Sequence, residues 1–376
     1  MIGFNTPYLT GNELVYIKDA ASRKHLSGDG YYTKQCSDWL THELKCKKAL
    51  LTQSCTAALE IAAILADIKE GDEVILPSYT FVSTANAFLL RGAVPVFVDV
   101  HQDTLNINEH LIEAAISKRT KAIVTVHYAG VPCEMDKIME IAHSHNLLVI
   151  EDAAQGILTT YKGRPLGSIG DLGCLSFHET KNIISGEGGA LLINNDLFLS
   201  RAEIIREKGT NRREFFRGEV DKYSWVDIGS SFLPSEITAA FLWAQLENAH
   251  SIIKSRKEIW NYYFEAFEDL ENSSSIKRPS IPKHVSHNAH IFYLLLDNNQ
   301  KRDHFISEMK SQGIHCVFHY IPLHSSSMGK KFGKISETLK VTENCASRIV
   351  RLPLWIGVDF KTVCKKVNDY FEIKRR

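Results

Sequence analysis

Residues 73–100 read EVILPSYTFVSTANAFLLRGAVPVFVDV. Glu73–Leu76 is a short apolar run stopped by Pro77, a residue that cannot donate to a sheet ladder. A helical stretch follows to Leu90, and Arg91 with Gly92 ends it. Val94–Val100 is a second apolar run. Strand, helix and strand in one short span make a βαβ unit, whose two strands lie parallel because the helix carries the chain back.

The same alternation extends outward on both sides. Residues 56–67 read as a buried, alanine-rich helix closed by a turn at Glu70–Asp72. Downstream, Leu111–Ile116 is helical, Ala122–Val126 a strand, Met135–His143 a helix, and Leu147–Ile150 a strand running into Glu151 and Asp152. Short apolar strands alternating with amphipathic helices predict an α/β fold with a mainly parallel sheet covered on both faces. A polar helical region follows Asn195 to about residue 223, and a helix is expected over Ser235–Ser255. The pattern then changes: helix Ile259–Leu270, a polar spacer at Glu271–Ile276, strand Ile291–Leu296, helix Arg302–Gln312, strand Cys316–Ile321 and terminal helices. This divides the chain into a large α/β domain, residues 1–250, and a smaller C-terminal α+β domain, residues 251–376.

Composition narrows the function classes. At 376 residues the chain can bury a large core, and 44% apolar with 23% charged residues suits a globular enzyme. Lys+Arg and Asp+Glu each total 44, so no global basic excess favours nucleic acid or an anionic membrane. No run approaches the roughly 20 apolar residues of a membrane span. The start, MIGFNTPYLTGNEL, lacks the basic-then-apolar order of a signal peptide. Eight scattered cysteines without a CxxC pair read as reduced thiols, which implies a cytoplasmic protein, and no metal is expected.

In an open α/β sheet, ligands bind at the carboxyl ends of the strands. Three stretches there carry chemistry. Gln53–Ala57 turns a short strand, Ala49–Thr52, into the alanine-rich helix; its free N–H groups and the helix dipole suit a phosphate, although Ser54 or Thr56 could simply cap the helix. Asp152, at a strand end, needs a partner if it is buried: a protonated heterocyclic nitrogen, or, on the plainer alternative, a helix end that it caps or a structural ion pair. Lys181 lies between an extended stretch and the turn of Gly186, Gly188 and Gly189, where a ligand can approach closely; a solvated surface lysine is the plainer alternative. A phosphate, a pyridine nitrogen and an aldehyde for the amine belong together in pyridoxal 5′-phosphate (PLP). Phe81 would stack on its ring, or simply pack in the core.

These residues carry a resemblance. The landmarks SGDGYYTKQC (27–36), LTQSCTAALE (51–60), PSYTFVSTANAF (77–88), EDAAQG (151–156), SFHETKN (176–182) and FHYIPLH (318–324) resemble the DegT/DnrJ/EryC1/StrS sugar aminotransferases over almost the whole chain. The resemblance implies the aspartate-aminotransferase-like PLP fold type I, with a mostly parallel seven-stranded sheet in the large domain. It implies that Lys181 takes the cofactor aldehyde, Asp152 pairs with the ring nitrogen and Gln155 contacts the ring hydroxyl. Cys55, Thr56 and Ser176 would hold the phosphate, and Phe81 would cover the ring. His319, Tyr320 and His324 would lie on the nucleotide-sugar side. The family often sends the Asn of a Gly-x-Asn-x-Arg segment to a neighbouring subunit's phosphate. In Gly229–Leu233 the matching positions hold Ser231 and Leu233.

The branch it looks most like makes dTDP-4-amino-4,6-dideoxyhexoses. The implied reaction moves the amino group of L-glutamate, released as 2-oxoglutarate, to C4 of dTDP-4-dehydro-6-deoxy-D-glucose. The product would have galacto or gluco configuration and serve O-antigen or other lipopolysaccharide synthesis. C3 amination, a lyase reaction or a UDP-sugar substrate are alternatives within the fold, and a cofactor-binding scaffold without catalysis is one outside it. A homodimer is expected, with no nucleic-acid or membrane partner.

Overall fold

The structure, a computed structural model, describes residues 1–273 and 275–373. Ser274, inside the polar spacer at Glu271–Ile276, lies outside the described residues, as do residues 374–376. The central sheet contains β1 (Lys48–Thr52), β2 (Glu73–Pro77), β3 (Val94–Val98), β4 (Thr120–Val126), β5 (Leu148–Asp152), β6 (Leu172–Ser176) and β7 (Gly189–Ile193). Their order across the sheet is β1-β7-β6-β5-β4-β2-β3. Only β7 runs against its neighbours, antiparallel to both β1 and β6. An eighth, two-residue strand, Lys334–Ile335, adds in parallel to the β3 edge, with Lys334 opposite Val96 and Ile335 opposite Phe97. The seven-strand expectation lacks it because a two-residue strand has no periodicity to read.

The apolar strands bury both faces. Along β2 and β3, Ile75, Val96 and Val98 point into one core, while Val74, Leu76 and Phe97 point into the other. The first core is closed by α1 (Glu13–Ser22), α2 (Tyr31–Glu43) and the helix Glu236–Glu247. The second is closed by α3 (Cys55–Leu65) and α4 (Val82–Leu89), whose alanines let helix and sheet pack closely. A third core joins Ile259, Phe292, Phe305, Val350 and Phe371. There Tyr293–Leu295 and Ile349–Arg351 form a separate antiparallel pair.

Several local readings change. The single helix expected over Ser235–Ser255 is two, Glu236–Glu247 and Ala249–Ala266, meeting at Asn248. The second includes the start of the expected Ile259–Leu270 helix; Glu268–Asn272 is a separate short one. Cys316–Ile321 is not a strand: Val317 makes one bridge to Arg351 and the rest of the run has no ladder partner. Strand propensity there is not met by a neighbouring edge. No helix among the described residues is long and apolar enough to cross a membrane.

Candidate active site

A cavity of about 790 Å³ opens where the parallel strands end. It lies over the carboxyl ends of β1, β5 and β6, and is lined there by Cys55 and Thr56, by Asp152, and by Ser176 and Lys181. At the head of α3, Ser54 takes an extended conformation and its side chain accepts from Ala57 N at 3.0 Å. The N–H groups of Cys55 and Thr56 find no acceptor among the described residues. Thr56 Oγ1 is tied to Ser83 Oγ at 2.8 Å. The approach of this helix end depends on Gly189: a Cβ there would lie 2.4 Å from Ser54 C and 2.5 Å from Cys55 N. Gly189 thus admits the head of α3 to the sheet. The sequence offers this glycine turn as a place for close ligand approach; in the structure Gly189 serves the helix instead.

Asp152 ends β5, 6% exposed. Its Oδ2 accepts from Thr84 Oγ1 at 2.7 Å and its Oδ1 from Ala154 N at 3.2 Å. It forms no ion pair among the described residues. Burial pushes its carboxyl above the usual range, against the pull of Thr84, Ala154 and the charge of Lys181. Lys181 answers in kind. Burial lowers its amine pKa, Cys55 and Asp152 oppose that, and the nearby charge of Arg351 adds to it. Its Nζ has no hydrogen-bond or ion-pair partner among the described residues. A depressed pKa and a free amine suit an amine that must react unprotonated.

The other wall is aromatic. His319 and Tyr320 stack with ring centroids 3.7 Å apart, and Tyr128 hydroxyl bonds His319 Nδ1 at 2.7 Å. Burial, with the charges of Arg351 and Lys181, holds His319 well below its ordinary pKa, so the ring is neutral. Gln155 Oε1 accepts from Ala129 N at 2.7 Å, while its Nε2 donates to Tyr320 hydroxyl at 3.0 Å and keeps a second hydrogen free. Phe81 sits at the cavity mouth, 6.2 Å from Tyr320 between ring centroids.

A model of the DegT/DnrJ/EryC1/StrS aminotransferase family matches residues 7–368. The chain belongs to this family. Among its relatives, the spore coat polysaccharide biosynthesis protein SpsC of Bacillus subtilis is 34% identical over 86% of this chain and 85% of its own. The GDP-perosamine synthase of Caulobacter vibrioides is 32% identical over 95% of this chain and 94% of its own. Among solved structures, a Streptococcus pneumoniae chain described as a sugar aminotransferase, in its PLP form, superposes with a TM-score of 0.87 at 26% identity. It covers 97% of this chain and 99% of that one. The protein is accordingly a PLP-dependent nucleotide-sugar aminotransferase.

The residues present fit the cofactor of this family. Unpaired N–H groups at a helix head, a buried carboxylate lacking a cation and a free amine converge on one cavity. Of the residues singled out in the sequence, Cys55, Thr56, Phe81, Asp152, Gln155, Ser176, Lys181, His319 and Tyr320 all line it. His324 and Ser231 do not. His324 is buried away from it, its Nδ1 bonded to Ser78 Oγ at 2.7 Å and its Nε2 facing Glu343 at 3.2 Å. Ser231 is exposed and bridges Glu207. Sequence reading missed Thr84, which holds Asp152, and the cavity-lining arginines Arg256 and Arg351. Thr84 lies in the quoted PSYTFVSTANAF stretch, one helical turn beyond Thr80, to which it is hydrogen-bonded at 2.8 Å. The arginines carried no sequence signal, since an isolated arginine reads as surface.

Proposed function

We propose that the enzyme transfers the amino group of L-glutamate to C4 of dTDP-4-dehydro-6-deoxy-D-glucose. The observation that carries this is the single cavity uniting Lys181, Asp152 and the head of α3 with the His319–Tyr320 wall. When bound, PLP supplies an aldehyde that takes up the amino group and a protonated ring that draws electrons from the reacting bond. The N–H groups of Cys55 and Thr56, with Ser176, would hold its phosphate, where the α3 dipole favours an anion. Asp152 would face the ring nitrogen and keep it protonated; that cation in turn relieves the buried carboxylate. Phe81 would cover the ring and Gln155 would donate its free N–H to the ring hydroxyl. Lys181, its pKa lowered by burial, would serve as general base and acid, taking a proton from the carbon that bears the donor's amino group and returning it during transfer. Tyr320 and His319 would bound the sugar.

Two structural proposals accompany this reading. We place the domain boundary near residue 250; the C-terminal core of Ile259–Phe371, separate from the two sheet cores, supports it. We also propose a homodimer in which exposed Ser231 reaches the partner's cofactor phosphate. Its exposure away from this chain's own cavity is consistent with that role.

A second reading is favoured by the Caulobacter relative, whose name specifies a GDP-linked sugar. Purified enzyme with glutamate is offered the dTDP- and the GDP-linked 4-keto-6-deoxyhexose separately. Product mass reads amination, and the proton coupling at C4 reads galacto or gluco configuration. The proposal requires turnover of the dTDP sugar; exclusive turnover of the GDP sugar, or amination at C3, overturns it.

A further inference from the structure

The reaction needs more from the cavity than a cofactor cradle. Its amino donor arrives with a negatively charged carboxylate, which must be neutralised if it is to leave water. The cationic side chains on the cavity wall include Lys181, Arg256 and Arg351. Lys181 is the reacting amine. Arg256 is already committed: its Nε and Nη2 donate to the carbonyls of Ala289 and His290 at 3.2 and 2.9 Å. Arg351 is not. Its guanidinium has no hydrogen-bond acceptor and no carboxylate partner among the described residues, and its Nε is fully buried without a partner. It closes the strand Ile349–Arg351, held against Tyr293, with the Phe4 ring 4.7 Å from its Cζ. Buried unpaired donors are rare because each one costs desolvation free energy. An arginine kept in that state beside a reactive amine is a ready fork for an oxyanion, since the guanidinium matches a carboxylate with paired N–H groups.

We propose that Arg351 is the carboxylate-binding residue for the amino-acid donor. This rests on the reading that the donor is L-glutamate. Arg351, Lys181 and His319 line the same cavity, and the charge of Arg351 lowers the pKa values of the other two. A carboxylate on Arg351 would remove that influence, so the amine should regain basicity as the donor docks. The same guanidinium chemistry could instead serve the diphosphate of the sugar nucleotide, and the two sources are separable because the donor and the sugar react in separate half-reactions.

The test uses the PLP-loaded enzyme and its Arg351→Gln and Arg351→Lys variants, with cofactor content and melting temperature checked first. Glutarate, a dicarboxylate without an amine, is titrated calorimetrically; single-turnover absorbance reads the glutamate half-reaction. The amine-form enzyme is then mixed with keto-sugar. We expect Arg351→Gln to weaken glutarate and glutamate at least tenfold, Arg351→Lys to lie between, and any slowing of the keto-sugar half-reaction, which shares Lys181, to be smaller than that of the glutamate half-reaction. Unchanged glutarate and glutamate affinity in Arg351→Gln overturns the proposal, as does weakening of the sugar half-reaction alone. If Arg351→Gln fails to fold, Arg351→Lys decides: glutarate affinity equal to wild type overturns the proposal, because lysine keeps the charge and loses the fork. Failure of the glutamate reading itself is distinct, because the wild-type enzyme would then not react with glutamate.

Discussion

Replacing Asp152 with asparagine should move two measurable quantities in opposite directions. The carboxylate is buried, is held by Thr84 and Ala154, and lacks an ion pair, so burial raises its pKa above the ordinary carboxyl value. A carboxyl raised in the folded state stabilises fully below the ordinary carboxyl range, and that contribution is lost as pH rises through the raised value. Each unit of rise is worth about 1.4 kcal/mol. At alkaline pH the cofactor-free protein therefore carries a destabilising charge that asparagine removes at constant volume. The Thr84 hydroxyl, free to exchange roles with Thr80, can turn to accept from the new amide. Cofactor-free Asp152→Asn should melt above wild type in alkali, with the gap closing in acid. In the loaded enzyme the sign reverses. Asparagine cannot pair with a protonated ring nitrogen, and breaking a buried ion pair costs about 3–5 kcal/mol. PLP affinity should fall by roughly 10²-fold or more, with turnover slowed as well. Melting curves of stripped protein against pH, and PLP titration by fluorescence, read the two effects. Equal PLP affinity, or stripped Asp152→Asn less stable than wild type in alkali, would refute the reasoning.

Lys181→Ala should abolish turnover and the visible absorbance of bound cofactor; repeated turnover without an added amine would contradict its role. Thr84→Val removes a charge-assisted hydrogen bond from Asp152, a loss of about 1.5–3 kcal/mol expected to appear as weaker PLP binding, which Thr84→Ser should restore. Gly189→Ala forces the α3 head away from the sheet, so stability should drop by about 1–3 kcal/mol together with PLP affinity in equilibrium titration. His324→Ala should lower the melting temperature through the lost Ser78 bond, about 1–3 kcal/mol, and leave KM for the sugar within twofold; a raised KM at unchanged stability would return His324 to the substrate site.

Much of the fold and the candidate site was legible because the signals were local. The 73–100 stretch carries its strand, helix and strand in consecutive residues, and the strand-end rule then points at Asp152 and at the loop of Lys181. What failed was non-local. Cys316–Ile321 has strand composition, yet a strand needs an edge to pair with and this run meets one only at Val317. Asn248 divides a helical pattern that periodicity alone runs together. His319, Tyr320 and His324 share one short motif, yet the first two face the cavity and the third turns to Ser78 and Glu343.

The amino-acid sequence alone determined the alternation of strands and helices, the residue types a PLP site needs, and the strand ends on which they sit. Each depends on backbone preference and hydrophobic spacing over a few neighbouring residues. Tertiary structure decided which charges are paired. Arg206, a buried arginine, is matched by Asp29, Arg256 by backbone carbonyls, and Arg351 by no hydrogen-bond acceptor or carboxylate among the described residues, although as sequence the three look alike. Whether a guanidinium is satisfied depends on partners brought in from distant parts of the chain, and only the packed fold places them.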